Sequence, residues 1–272
     1  MARIIRNLRE LYKYRVLIQN LVVRELKARY RGTVLGFFWS FFNPLLLMIV
    51  YTAVFGLIIN PRDPTFESNP LVYALYLFCG ILPWHWFASS TLESANVLMI
   101  NGNLLKKILF PAEVLPVVTV TSNMIHFFFG LPILFLFILV TGRPLTPFAL
   151  FLPAVVFVQY VFTLGFSLII SSLTVHFRDI KDILSNLLTF WFFASPIIYA
   201  MSFPSIQKSA ALRLMLNLNP MTHIIQGYQY SLYYGSLLPW KRLGVTFIVS
   251  LVLFVIGYMI FDRLRDSFPE EV

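Results

Sequence analysis

The chain has one cysteine, Cys79, set inside an apolar run, so it has neither a disulfide framework nor a cysteine-based metal site. Charge is almost as scarce: Asp, Glu, Lys and Arg make up 12% of the 272 residues, and only 12 residues are acidic. No glycine is followed by lysine, which removes the G-x-x-x-x-G-K-[ST] loop that cradles nucleotide phosphates. H-E-x-x-H, C-x-x-C and G-x-S-x-G are missing too, so metalloprotease, thiol-redox and serine-hydrolase chemistry have no foothold. The apolar windows also lack a buried acid. Glu93 and Glu113 stand at window ends, which argues against coupling to an ion gradient through an intramembrane carboxylate. The chain reads as a non-enzyme with no cofactor or metal of its own.

Apolar surface is what the chain has in excess. It is 58% hydrophobic with a mean hydropathy of +0.78, beyond what a soluble domain of this length carries. Charge-free windows cover 32–61, 68–92, 114–142, 144–177, 183–207, 214–240 and 243–261. A bilayer core of about 30 Å needs roughly 20 residues of helix, and six windows meet that requirement. The window 214–240 is broken by Asn217, Asn219, Pro220, Gln226, Gly227, Gln229 and Pro239 into pieces too short to span.

The pattern predicts an all-α integral membrane protein of six transmembrane helices, at about 34–59, 71–95, 113–140, 147–174, 183–203 and 243–262. Residues 1–31 form a cytoplasmic amphipathic interface helix ahead of the 32–263 transmembrane domain, and 264–272 a cytoplasmic tail. The first apolar run is too long for a signal-peptide core and is expected to stay as a helix.

A net charge of +9 raises the possibility of nucleic acid, but the cations cluster at the feet of apolar windows rather than along a solvated face. No nucleic-acid partner is expected. Fifteen Lys and Arg fall on one set of segments and six on the other, which places both termini on the cytoplasmic side. At the N-terminus, Ile4, Leu8 and Leu11 recur at helical spacing opposite Arg3, Arg6, Arg9 and Lys13. Such a helix offers its cations to membrane lipid or to a cytosolic partner, while a plain topogenic anchor explains the charge equally well.

Three connectors carry further signals. Asn103 as N-cap and Pro111 as stop predict a short cytoplasmic helix over about 103–110 bearing Lys106 and Lys107; an ordinary positive-inside loop is the alternative. Arg178-Asp179-Ile180-Lys181-Asp182 mixes signs tightly, for internal pairing or for a partner. On the outer side, Asn219 as N-cap, Pro220 as first helical residue and Gly235 as stop predict a helix preceded by another from about 209. This pair, 209–234, is read as re-entrant before the last span, with His223, Gln226, Tyr230 and Tyr233 on one side. His85 and His126 fall inside spans and read as neutral histidines bonded to neighbouring helices rather than as a proton relay.

Several motifs carry a family resemblance. R-x-L-K-x-R-Y at Arg24–Tyr30, L-G-x-x-W ending at Trp39, and N-P-L-x-x-M at Asn43–Met48 come first. V-H-F-R-D-I at Val175–Ile180, A-S-P-I-I-Y at Ala194–Tyr199 and N-P-M at Asn219–Met221 follow in order. Together they resemble the membrane subunit of ABC polysaccharide exporters, the type-2 permeases for O-antigen, teichoic acid or capsule chains. The resemblance implies a homodimer in the inner (cytoplasmic) membrane of a bacterial cell. It implies two copies of a cytosolic ABC ATPase subunit carrying ATP and Mg²⁺, and a lipid-linked polysaccharide, O-antigen-like, as substrate.

It further implies that the 103–110 helix couples to the ATPase, with Arg24, Glu25, Arg29, Asn103, Lys106, Lys107, Arg178 and Asp179 as contacts. Spans one and five would line the conduit with Trp39, Phe42, Trp191, Phe193 and Tyr199, and Tyr230 and Tyr233 would lie on the substrate path beneath the outer helices. Without the resemblance these rings read as ordinary packing or interface aromatics. A type-2 permease for drugs or lipids, or an ion-coupled transporter, is the alternative function.

Overall fold

The computed structural model describes residues 13–54, 69–106 and 110–272, and all regular structure among them is helical. The first helix, α1 (Arg15–Tyr30), contains neither proline nor glycine and ends where Gly32 takes φ +78°. It buries Leu21 and Val22 against Val114 and Val118. The Ile4, Leu8 and Leu11 pattern lies outside the described residues. After a 3₁₀ turn at Gly36–Phe38 comes α2 (Trp39–Tyr51), with Pro44 in its first half, winding on to Val54. The remainder of the first expected span, from residue 55, lies outside the described residues.

Helix α3 (Pro70–Ile100) starts as capping chemistry dictates: Asn69 Oδ1 accepts the Leu71 N–H at 3.0 Å, and Pro70 occupies the first turn. Of the long helices it is buried over the largest share of its length, with α5 (Val114–Val140) and α6 (Leu152–His176) packed beside it. A four-residue helix, α4 (Gly102–Leu105), joins α3 to the turn before α5. A short α7 (Ile180–Phe193) leads to three small helices, α8 (Pro204–Lys208), α9 (Ala210–Leu218) and α10 (Pro220–Tyr228). A π-helical turn at Gln229–Tyr234 follows, then α11 (Trp240–Leu264) and α12 (Phe268–Glu271).

Among the described residues four helices are long and apolar enough to cross a membrane: α3, α5, α6 with its leading 3₁₀ turn, and α11 with its C-terminal extension. Among the described residues, the helices α2 and α7, where two further spans are expected, have 13 and 14 residues. At 1.5 Å per residue, 14 residues rise only about 21 Å. Helix α7 stops at Phe193 because Pro196 disfavours helix at the residue before it, and the chain from Ala194 to Tyr199 runs as turns.

The tightest crossing is between α6 and α11. A Cβ at Gly165 would come within 2.7 Å of the Phe254 backbone, and one at Gly257 would collide with the Gly165 carbonyl oxygen. Small residues let the two backbones touch, as membrane helices require when no water drives them together. The core between α3, α6 and α7 is aromatic: Phe87 lies 5.5 Å from Phe162, 5.7 Å from Phe166 and 5.3 Å from Trp191, ring centre to ring centre. Gln159, fully buried, donates to the Pro83 carbonyl at 2.7 Å and sets the register of α6 on α3.

Candidate functional site

At one end of the helical body, Arg29 reaches from the last turn of α1 between α3 and α5. Its Nη2 donates to Glu93 at 2.8 Å, its Nη1 to Asn123 Oδ1 at 3.2 Å, and Asn123 Nδ2 donates to the same Glu93 oxygen at 2.7 Å. The three residues close a ring of charge-assisted bonds across three helices. Glu25, one turn earlier, sits 3.8 Å from Arg29. Burial, then the repulsion of Glu93, push its carboxyl above the ordinary 4.5, against the pull of Arg29.

Three cavities follow this ring along α3. A cavity of about 500 Å³ is lined by Arg24, Glu25, Arg29, Glu93 and Asn101. A second, about 340 Å³, shares Arg29 with it and adds Thr33, Trp39, Asn43, His85, Trp86 and His126. The third, about 430 Å³, shares His85 with the second and lies between α2, α3 and α7, walled by Leu47, Tyr51, Trp84, Ser185, Thr189 and Phe193. The lining combines aromatic faces with hydroxyl, amide and imidazole groups, and its charged members come in opposite pairs. Such a surface offers stacking and hydrogen bonds to a hydroxylated ligand without a strong net charge.

The expected path residues separate in this geometry. Trp39 lines the middle cavity, with Phe42 exposed and 6.2 Å from it edge to face. Phe193 is exposed on the wall of the third cavity. Trp191 points the other way, among Trp84, Phe87 and Phe166, with its indole N–H on Asn219 Oδ1 at 2.9 Å. The Tyr199 hydroxyl donates to the Phe193 carbonyl at 3.0 Å. Tyr230 lies against Tyr234, ring centres 5.3 Å apart and planes tilted by 43°, while Tyr233 is buried against Tyr76 with the Arg143 guanidinium 4.5 Å above its ring.

Of the expected partner contacts, Arg24, Glu25 and Arg29 share the first cavity. Asn103 is exposed and lies inside α4; the helix begins at Gly102, not at an Asn103 cap. Lys106 is exposed at the end of that turn, and Lys107 lies outside the described residues. Arg178 and Asp179 are exposed at the head of α7.

One residue matters more than its sequence signal suggested. Asn219 caps α10 through the Met221 N–H at 3.0 Å, as expected, but the same amide also receives Trp191 and donates to the Ala194 carbonyl at 3.1 Å and Ser195 Oγ at 3.0 Å. Nearby, Tyr73 donates to the Ile198 carbonyl at 2.7 Å, Tyr76 to the Tyr199 carbonyl at 3.0 Å, and Gln229 to the Pro196 carbonyl at 3.0 Å. Non-helical backbone buried in protein must have its carbonyls satisfied in this way. N-P and the tyrosines were visible in the sequence; that they converge on 194–199 required the fold.

A family model described as ABC-2 type transporter matches residues 16–233. The chain is 40% identical over 268 residues to an O-antigen export system permease protein of Myxococcus xanthus, covering 98% of this chain and 100% of that one. It is 31% identical over 265 residues to an O-antigen export system permease protein of Klebsiella pneumoniae, covering 97% and 96%. With its long apolar helices, the chain belongs to the ABC-2 type transporter family and is a multi-pass membrane transport component.

Proposed function

We propose that this chain is the transmembrane subunit of an ATP-driven exporter that carries a lipid-linked, O-antigen-like polysaccharide from the cytoplasm to the outer side of the inner membrane of a bacterial cell. The observation that carries the reading is full-length similarity to permeases named for O-antigen export, at 40% identity for one of them. The cavities support it, since they run along α3 from the Arg29–Glu93 ring to the face between α2 and α7 with a lining suited to sugar rings.

In this reading two copies face their α2 and α7 helices across a conduit, with six spans each and both termini in the cytoplasm. Exposed Phe42, Ile49, Val50, Ile183, Leu187 and Phe190 on those two helices supply an apolar surface for that meeting. Two copies of a separate ATPase, holding ATP and Mg²⁺, act on the cytoplasmic ends through α1, the α4 turn and the head of α7. Weak contacts spread over several rings let a polymer slide without stalling at any one. Deleting the gene should strip the polymer from the cell surface while lipid-linked polymer accumulates on the cytoplasmic side, and a plasmid copy should restore it. Surface polymer at the parental level in the deletion strain would sink the proposal.

A further inference from the structure

The last eight residues do not hang free as a plain tail. Arg265 starts them 4.0 Å from the buried Glu113 at the foot of α5 and 3.6 Å from Asp262. Ser267 Oγ stands 3.1 Å from His176 Nε2 at the end of α6. Phe268 is fully buried, its ring 5.1 Å from Phe261 of α11 and in one apolar cluster with Leu98, Leu105 and Val175. At the far end Val272 fills the space beside Gly102, where a Cβ would collide with it. The segment therefore touches the ends of α5, α6 and α11 and the α4 turn together. Burying a whole phenylalanine ring is strongly favourable, enough to hold a short segment in place.

We propose that residues 265–272 are a brace, seated by Phe268 and Arg265, that positions the α4 turn on the ends of α5, α6 and α11. A force applied to Asn103 or Lys106 then moves three long helices as one body instead of bending a free loop. This role in coupling rests on the reading of the α4 turn as the ATPase contact. Phe268→Ala empties the seat; Phe268→Leu largely refills it. In the purified full chain, amide exchange over residues 100–106 should rise by about tenfold in the alanine variant, stay near wild type in the leucine variant, and not change over residues 210–218. With the ATPase added, ATP consumed per polymer exported should rise several-fold in the alanine variant only. Should Phe268→Ala fail to fold, Gly102→Val, which displaces Val272, gives the same readouts. Unchanged exchange at 100–106, or an equal rise everywhere, overturns the brace. Raised exchange with an unchanged ATP-to-export ratio overturns its role in coupling. Absence of export by the wild-type complex would contradict the transport reading instead, and the exchange measurement would still decide the brace.

Discussion

Arg29 and Glu93 lie 64 positions apart in the chain and meet at 2.8 Å, with Asn123 bonded to both. This contact fastens α1, an amphipathic segment in the sequence reading, onto α3 and α5. Both charged side chains keep about a third of their surface exposed, 31% and 37%, so solvent screens the pair. In a double-mutant cycle of Arg29→Ala and Glu93→Ala, thermal unfolding in detergent should give a coupling of about 1 kcal/mol, falling with salt. Asn123→Ala should cost more, roughly 1 to 3 kcal/mol, because it removes a buried amide from its partners. A coupling near zero at low salt would mean that α1 is held by its apolar contacts, with Leu21 and Val22 at their centre.

Glu25 adds a pH dependence to the same contact. Its carboxyl titrates above 4.5 when folded, so the folded chain holds this proton more tightly than the unfolded one. The resulting stabilisation is complete below 4.5 and is lost as pH rises through the raised value. Glu25→Gln should therefore raise stability near neutral pH and flatten the pH profile just above 4.5. A profile identical to that of the parent chain would remove Glu25 from the account.

Asn219 joins the end of α7 to the start of α10 with four hydrogen bonds. Asn219→Ala leaves the Trp191 indole and the Ala194 carbonyl without it, a loss of about 2 to 6 kcal/mol at roughly 1 to 3 kcal/mol per buried group. Amide exchange over 194–200 should rise selectively. Asn219→Asp keeps the cap and the indole bond but loses both donors, so it should fall between alanine and the parent. If alanine and parent exchange alike over 194–200, the amide is only a helix cap.

The α6–α11 crossing gives a steric test. Gly165→Ala should sharply lower the amount of folded protein, because its Cβ meets backbone atoms of Phe254 that cannot swing away. Gly244→Ala, in open space on α11, should be neutral or slightly stabilising. Equal behaviour of the two variants would put the crossing elsewhere.

How far the sequence carried this structure depends on which force shapes each part. Uncharged length shows directly in residues, so α3, α5, α6 and α11 were legible as long apolar helices. Caps were legible where one residue decides them, as at Asn219 and Pro220, whereas the expected cap at Asn103 falls inside a helix that starts at Gly102 with no side-chain cap bond. The shortness of α7 was harder to read. Pro196 ends α7, but proline is also tolerated inside membrane helices, and nothing local says that Tyr73, Tyr76, Gln229 and Asn219 will satisfy the carbonyls that follow Phe193. Trp39 and Trp191 looked alike as ring-bearing positions, yet one lines a cavity and the other packs the interior, a distinction set by neighbours more than 20 residues away.

The central claim, ATP-driven passage of a lipid-linked polysaccharide, is tested most directly by reconstitution. The purified chain and its ATPase would be placed in vesicles holding the lipid-linked polymer, ATP and Mg²⁺ would be supplied on the ATPase side, and polymer reaching the opposite face would be followed with a membrane-impermeant glycosidase or antibody. The account predicts ATP-dependent appearance of polymer on that face only when both proteins are present, slowed but not abolished by Trp39→Ala. Polymer that stays on the ATPase side while ATP is hydrolysed, or that crosses equally well without this chain, would contradict it.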